Sequence, residues 1–199
     1  ARAVADFLWE RGIVPAPVIR EAIQVLKSGG LDDTDPSMLE LRLTYLASIA
    51  GSTEETHRLW ELQTFISLVE EHGSSELRFW TYDTMRELFR DLRDQEIIAW
   101  IEKMRQEALS MEDEILTKMA EGYLLWARTE LRMDDKSEES KVLEQLHALL
   151  AYFKPDYARS FVVFISYWSL SIIHFKRENF ELALQFGQRA LNISKGWHN

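Results

Sequence analysis

The chain has 199 residues, 46% of them apolar, which suffices for one domain with a sizeable core or for one elongated helical array. Its 23 basic and 33 acidic residues leave a net charge of −10, opposite in sign to a phosphate-binding surface, so no nucleic acid is expected as a direct partner. The absence of Cys removes disulfides, thiol catalysis and Cys-ligated metals, and favours an intracellular compartment, cytoplasmic or nuclear.

The apolar positions recur with helical spacing from one end to the other. A first helix is predicted over 2–11, ahead of Gly12, Pro15 and Pro17, and a second over 17–28, with the stripe Ile19, Ala22, Ile23 and Leu26 stopped by Gly29 and Gly30. Asp35-Pro36 opens a third over 36–50, carrying Leu39, Leu43, Leu46 and Ala50 and followed by Gly51. Ser52-Thr53-Glu54-Glu55 is a capping box for a fourth over 53–72 (Leu59, Leu62, Ile66, Val69), which Gly73 ends. Stripes Leu77, Met85, Leu88, Leu92 and Ile97, Ile101, Met104, Ala108 predict helices over 75–92 and 95–109. Ser110-Met111-Glu112-Asp113 reads as a second capping box, for 111–133, with Leu116, Ala120, Tyr123, Ala127 and Leu131. Asp135 caps 137–153, and the last two helices are 156–176, after Pro155, and 178–195. Nowhere does a comparable stretch alternate with period 2, so the fold class is all-α.

The loops between these helices are mostly two to four residues, which forces antiparallel neighbours. Taken in pairs, the helices give hairpins starting near 2, 36, 75, 111 and 156. That spacing is expected of an α–α superhelix, a solenoid of about five antiparallel hairpins, occupying 1–199 as a single domain. The first residue is Ala, and we expect the chain to be a fragment of a longer protein. The longest apolar runs, Ile97 to Ile101 and Phe161 to Ile165, are far shorter than the ~20 residues of a membrane helix, so no membrane insertion is expected.

The last hairpin carries a recognisable pattern. Tyr167, Leu170 and Ser171 on its first helix, then Phe180, Ala183 and Ala190 on its second, resemble a tetratricopeptide repeat; His174, Gly187 and Lys195 depart from that pattern. The match spans about residues 164–195, and the other hairpins share only length and topology with the family. The resemblance implies that Ala183 and Ala190 let the two helices approach, that Phe180 plugs the turn, and that the domain is a protein-binding scaffold with a concave groove. In the tetratricopeptide register that groove is lined by Ile165, Trp168, Ile172 and Phe175. Peptide-clamping members of the family hold a C-terminal carboxylate with Lys and Asn on this face. Trp168 and Ile172 stand there instead, so that ligand mode is absent from this hairpin.

Chemistry-bearing motifs are sparse. Glu54-Glu55-Thr56-His57 and Glu144-Gln145-Leu146-His147 have the Glu-x-x-His spacing of di-metal carboxylate bundles, with Glu121 as a third candidate ligand. Capping and the helix dipole account for Glu54 and Glu55, and among 33 acidic and 5 His residues two such spacings arise by accident. No phosphate loop, zinc-protease motif or nucleophile elbow occurs, so neither metal nor other cofactor is expected and the chain is read as non-enzymatic. Arg86, Arg90 and Arg93 form a basic stripe beside Glu87, Asp91 and Asp94; a solvated ion-pair face is the plain reading, a contact for an acidic partner segment the other. From Phe161 to Phe175, 11 of 15 residues are apolar, more than one neighbouring helix buries. The functional expectation is an interaction scaffold that holds a partner helix or peptide on Ile165, Trp168, Ile172 and Phe175. A regulatory sensor of the same architecture, binding a small molecule or peptide, is the alternative, and a di-metal enzyme ranks third. The last helix also shows Leu184, Phe186, Leu191 and Ile193, more apolar surface than one preceding helix covers.

Overall fold

The computed structural model describes residues 16–48, 55–88, 94–131, 136–153 and 161–195. Those residues form nine α-helices and no strand: α1 (Ala16–Ser28), α2 (Pro36–Ser48), α3 (Glu55–His72), α4 (Ser75–Leu88), α5 (Asp94–Ser110), α6 (Glu114–Leu131), α7 (Lys136–Tyr152), α8 (Phe161–Lys176) and α9 (Phe180–Lys195). The helix predicted over 2–11 and the capping residues Ser52 to Glu54 lie outside the described residues.

Several ends follow directly from local chemistry. Asp35 Oδ1 accepts from the Ser37 amide at 2.9 Å, with Pro36 in the first helical position, where a missing N–H costs nothing. Ser74 Oγ accepts from the Leu77 amide at 3.1 Å and starts α4. At the end of α1, Gly30 takes φ 90° while Leu31 N donates to Leu26 O (3.1 Å) and Gly30 N to Lys27 O (3.0 Å), the paired bonds of a Schellman stop. The start of α6 is displaced from the predicted one. Ser110 is the last residue of α5, its hydroxyl donating back to Glu107 O at 2.8 Å, and the cap is Asp113, whose Oδ1 accepts from Leu116 N at 2.9 Å.

The chain divides into two compact units, Ala1–Glu112 and Asp113–Asn199. In the first, α2 packs on α1, α3 and α4, α4 also packs on α3, and α5 closes against α4. Its core holds Leu39, Leu46, Leu62, Phe65, Val69, Leu77 and Met85. The α4–α5 pair is stitched by polar contacts that the apolar periodicity did not announce. Arg78 donates to Glu107 Oε1 (2.8 Å), to Gly73 O (2.6 Å) and to Ser75 Oγ (3.0 Å). Tyr82 stacks on Trp100 at 5.7 Å and donates to Glu70, which also pairs with Lys103 at 2.7 Å. Burial and the Glu70 carboxylate push the Tyr82 phenol well above its ordinary range.

In the second unit α6, α7, α8 and α9 form two hairpins, and α8 packs on α6 and α7 as well as on α9. The first unit shows the same rule, with α4 packing on both α2 and α3. Three contacts between the hairpins of the second unit share one sequence separation. Glu130 meets Trp168 and Glu139 meets Arg177, each pair 38 residues apart, and Tyr123 meets Phe161 at the same separation. Along these contacts α8 runs parallel to α6, offset by 38 residues. Gly122 makes the approach possible: a Cβ there would lie 2.4 Å from Val162 Cγ2 and 2.9 Å from Leu149 Cδ2. Within the last hairpin, Ser171 Oγ donates to Ala183 O at 2.8 Å, with Ala183 and Ala190 buried against α8. His174 lies flat on Phe186, centroids 5.4 Å apart. Phe180 does not plug the turn: it is exposed and leans edge-on against the Phe175 ring at 5.6 Å.

Candidate functional site

The side of α8 left open by α6, α7 and α9 carries Phe164, Trp168, Ile172 and Phe175. Trp168 is 44% exposed and Phe175 63% exposed, while Phe164 and Ile172 are half-buried. Phe164 lies parallel to Trp168 at 6.5 Å, and Phe161 and Tyr123 continue the ring series toward α6 at 5.8 and 6.0 Å. Aromatic side chains in this arrangement give a large contact area at small entropic cost.

Two residues of α6 complete the face, and neither belonged to the periodic stripe read from the sequence. Trp126 and Trp168 both direct their indole N–H at Glu130 Oε1, each at 3.2 Å. One carboxylate oxygen thus holds an indole from its own helix and one from the next hairpin, which fixes the Trp168 ring although it is open to solvent. Beside it, Lys176 Nζ donates to Thr129 O at 3.4 Å. The face is therefore an aromatic strip with an acid and a base on its α6 flank. A hint was present in the spacing: Trp126 and Glu130 stand four residues apart, just off the Tyr123 and Ala127 stripe.

Ile165 does not join this face. It is 2% exposed and belongs with the buried residues Val162, Ser166, Ser169 and Ile173 of α8. The sequence stripe Ile165, Trp168, Ile172, Phe175 is thus split, its first member buried and the others open or half-open. The basic stripe also differs from its expectation. Arg90 and Arg93 lie outside the described residues, whereas Arg86 is 4% exposed and forks onto Asp83 Oδ1 at 3.0 and 2.8 Å, a core ion pair and not a solvated face. Of the candidate metal ligands, Glu121 pairs with Lys118 at 2.7 Å, Glu144 is exposed, and His147 turns its ring edge toward Phe186 at 5.9 Å. Glu54 and the side chains of Glu55 and His57 lie outside the described set, and no group of three potential ligands occurs among the described residues. Nor is any described helix long and apolar enough to cross a membrane.

Compared with known proteins, the chain matches no protein-family model, no curated protein and no solved structure.

Proposed function

We propose that this protein is an interaction scaffold of tetratricopeptide-like helical hairpins, one array over 1–199, that holds a partner helix or extended peptide on the open face of α8. The observation that carries the reading is Trp168: a large ring 44% exposed, yet pinned by Glu130, with Phe164, Ile172 and Phe175 on the same side. A ring held in place before binding loses little freedom on contact, which is what an interface anchor requires. Two further features support the solenoid reading, the 38-residue separation shared by three contacts between the last two hairpins and the packing of α4 on α2 and α3 and of α8 on α6 and α7.

The test compares wild type with Trp168→Ala in two measurements, partner capture by affinity purification of the tagged chain and urea unfolding. Loss of Trp168 should weaken binding of the captured partner at least tenfold, equivalent to ~1.4 kcal/mol, and move the unfolding midpoint little. A core residue of that size would instead cost ~3–5 kcal/mol of stability. Large destabilisation with unchanged affinity of the folded fraction refutes the binding face. An Ile165→Ala variant provides the opposite pattern as a control, because that side chain is buried.

A further inference from the structure

The ring of Phe186 on α9 is where the last helix touches both of the helices before it. His174 of α8 lies flat on that ring at 5.4 Å, and Tyr167, two turns earlier on α8, stacks at 6.2 Å. His147 of α7 meets it edge-on at 5.9 Å, and the Arg189 guanidinium stands over it at 5.7 Å.

His174 differs from a plain packed aromatic in one respect. Its Nδ1 is sealed from solvent and has no hydrogen-bond partner. A neutral imidazole tolerates this, because the proton sits on the other nitrogen and Nδ1 is then a bare acceptor. An imidazolium does not. Both of its nitrogens are donors, so a charged N–H would be left buried with nothing to receive it.

The surrounding charges act in the same direction. Arg177 faces the ring from α8 itself, His147 and Glu139 from α7, and Arg189 from α9 across Phe186. Lys176, two residues on and so on the opposite side of α8, turns to α6. Of these groups Glu139 alone favours a charged ring, and it is buried and already engaged by Arg177. The attraction of a cation for the Phe186 face is a smaller effect than an unpaired buried charge, and Arg189 already draws on it. Burial first, then Arg177 and His147, hold the His174 pKa below its ordinary 6.5. The closed stack is therefore the neutral arrangement, and acid favours one in which the ring reaches water.

We propose that His174 is a proton-operated latch on the last helix: in mildly acid solution its charged ring swings out of the Phe186 stack, and α9 loosens from α7 and α8 while α8 keeps its seat on α6. That seat is made of different chemistry, the close approach of Val162 to Gly122 and the Trp168 indole on Glu130.

The test is amide hydrogen exchange on the full chain at pH 7.5 and pH 5, read by mass spectrometry with the intrinsic pH dependence of exchange divided out. Peptides of α9 should lose protection by at least about threefold in acid while those of α6 keep theirs, as a local opening requires. His174→Phe, which can stack but cannot be charged, should hold α9 protected at pH 5. Two measurements on the unaltered chain need no variant. Nitrogen NMR should find the neutral His174 ring protonated on Nε2, and the titration of that ring should run in step with the loss of α9 protection. Unchanged protection of α9 in acid, equal losses in α6 and α9, a response that His174→Phe leaves intact, or a neutral ring protonated on Nδ1 would overturn the proposal.

Discussion

Gly122 lies in the interior of α6, where replacing Gly by Ala ordinarily gains stability of about 0.5–1 kcal/mol through helix propensity. Here the sign should reverse. The added Cβ would sit 2.4 Å from Val162 Cγ2 and 2.9 Å from Leu149 Cδ2, against ordinary carbon contacts of about 3.5–4.0 Å, so the surroundings must open by about 1 Å. Val162 is β-branched and fully buried and has little freedom to turn away. Overpacking of this kind costs about 1–3 kcal/mol, and subtracting the propensity gain leaves a net loss of up to about 2.5 kcal/mol for Gly122→Ala, about 1 kcal/mol at the middle of both ranges. Urea unfolding of the whole chain, followed by circular dichroism and tryptophan fluorescence, measures it. Val162→Ala removes the clashing methyl, so the double variant should be less destabilised than the two single losses added together, by about 1 kcal/mol. If Gly122→Ala is more stable than wild type, or the double variant is strictly additive, the close approach of α6 to α8 is refuted. The register that brings Glu130 to Trp168 would fall with it.

Other substitutions probe the same unit. Glu178 ends α8 with φ 61°, while Asn179 N donates to His174 O at 2.9 Å, a stop that favours Gly, so Glu178→Gly should be about 0.5–1 kcal/mol more stable than Glu178→Ala in thermal unfolding. The Ser169 hydroxyl is buried with no hydrogen-bond partner, and Ser169→Ala should raise the urea midpoint, by about 1 kcal/mol of stability. His174 has its pKa lowered below the ordinary 6.5, first by burial and then by Arg177 and His147, with Glu139 opposing. The native state therefore binds fewer protons than the unfolded chain; stability is full above about pH 6.5 and declines as the pH falls toward the lower native value. The unfolding midpoint at pH 5 should lie below that at pH 7.5, and His174→Phe, which keeps the stacking on Phe186, should reduce the difference.

The helices were legible because their punctuation is chemical and local. Asp35-Pro36, Gly29-Gly30 and Gly73 act through backbone groups a few residues away, and the ends they mark agree with the structure. Ser110 shows the limit: hydroxyl and carboxylate stand at the capping interval, but α5 runs on through Ser110 and leaves Asp113 to start α6. The face of α8 was legible in part for a related reason. Periodicity groups Ile165 with Trp168, Ile172 and Phe175, yet which edge of that group is covered depends on how α8 meets its neighbours, and the close approach of α6 to α8 runs through Gly122, a single residue with no side chain to notice. Arg86 failed similarly, since its burial follows from tertiary packing and from Asp83 three residues before it.

The 38-residue separation between the last two hairpins also shapes how the second unit gains and loses structure. The polar contacts described above span up to 47 residues of chain, the reach from Thr129 to Lys176, so these closures join segments near one another in sequence. Such a unit assembles quickly and can begin at either hairpin, each finished pair serving as a template for the next. Under tension the path of the load is set by the same arrangement. The last hairpin is tied to the rest of the unit by α8 on α6 and α7 and by Phe186 on His147, so these contacts bear any load applied through α9.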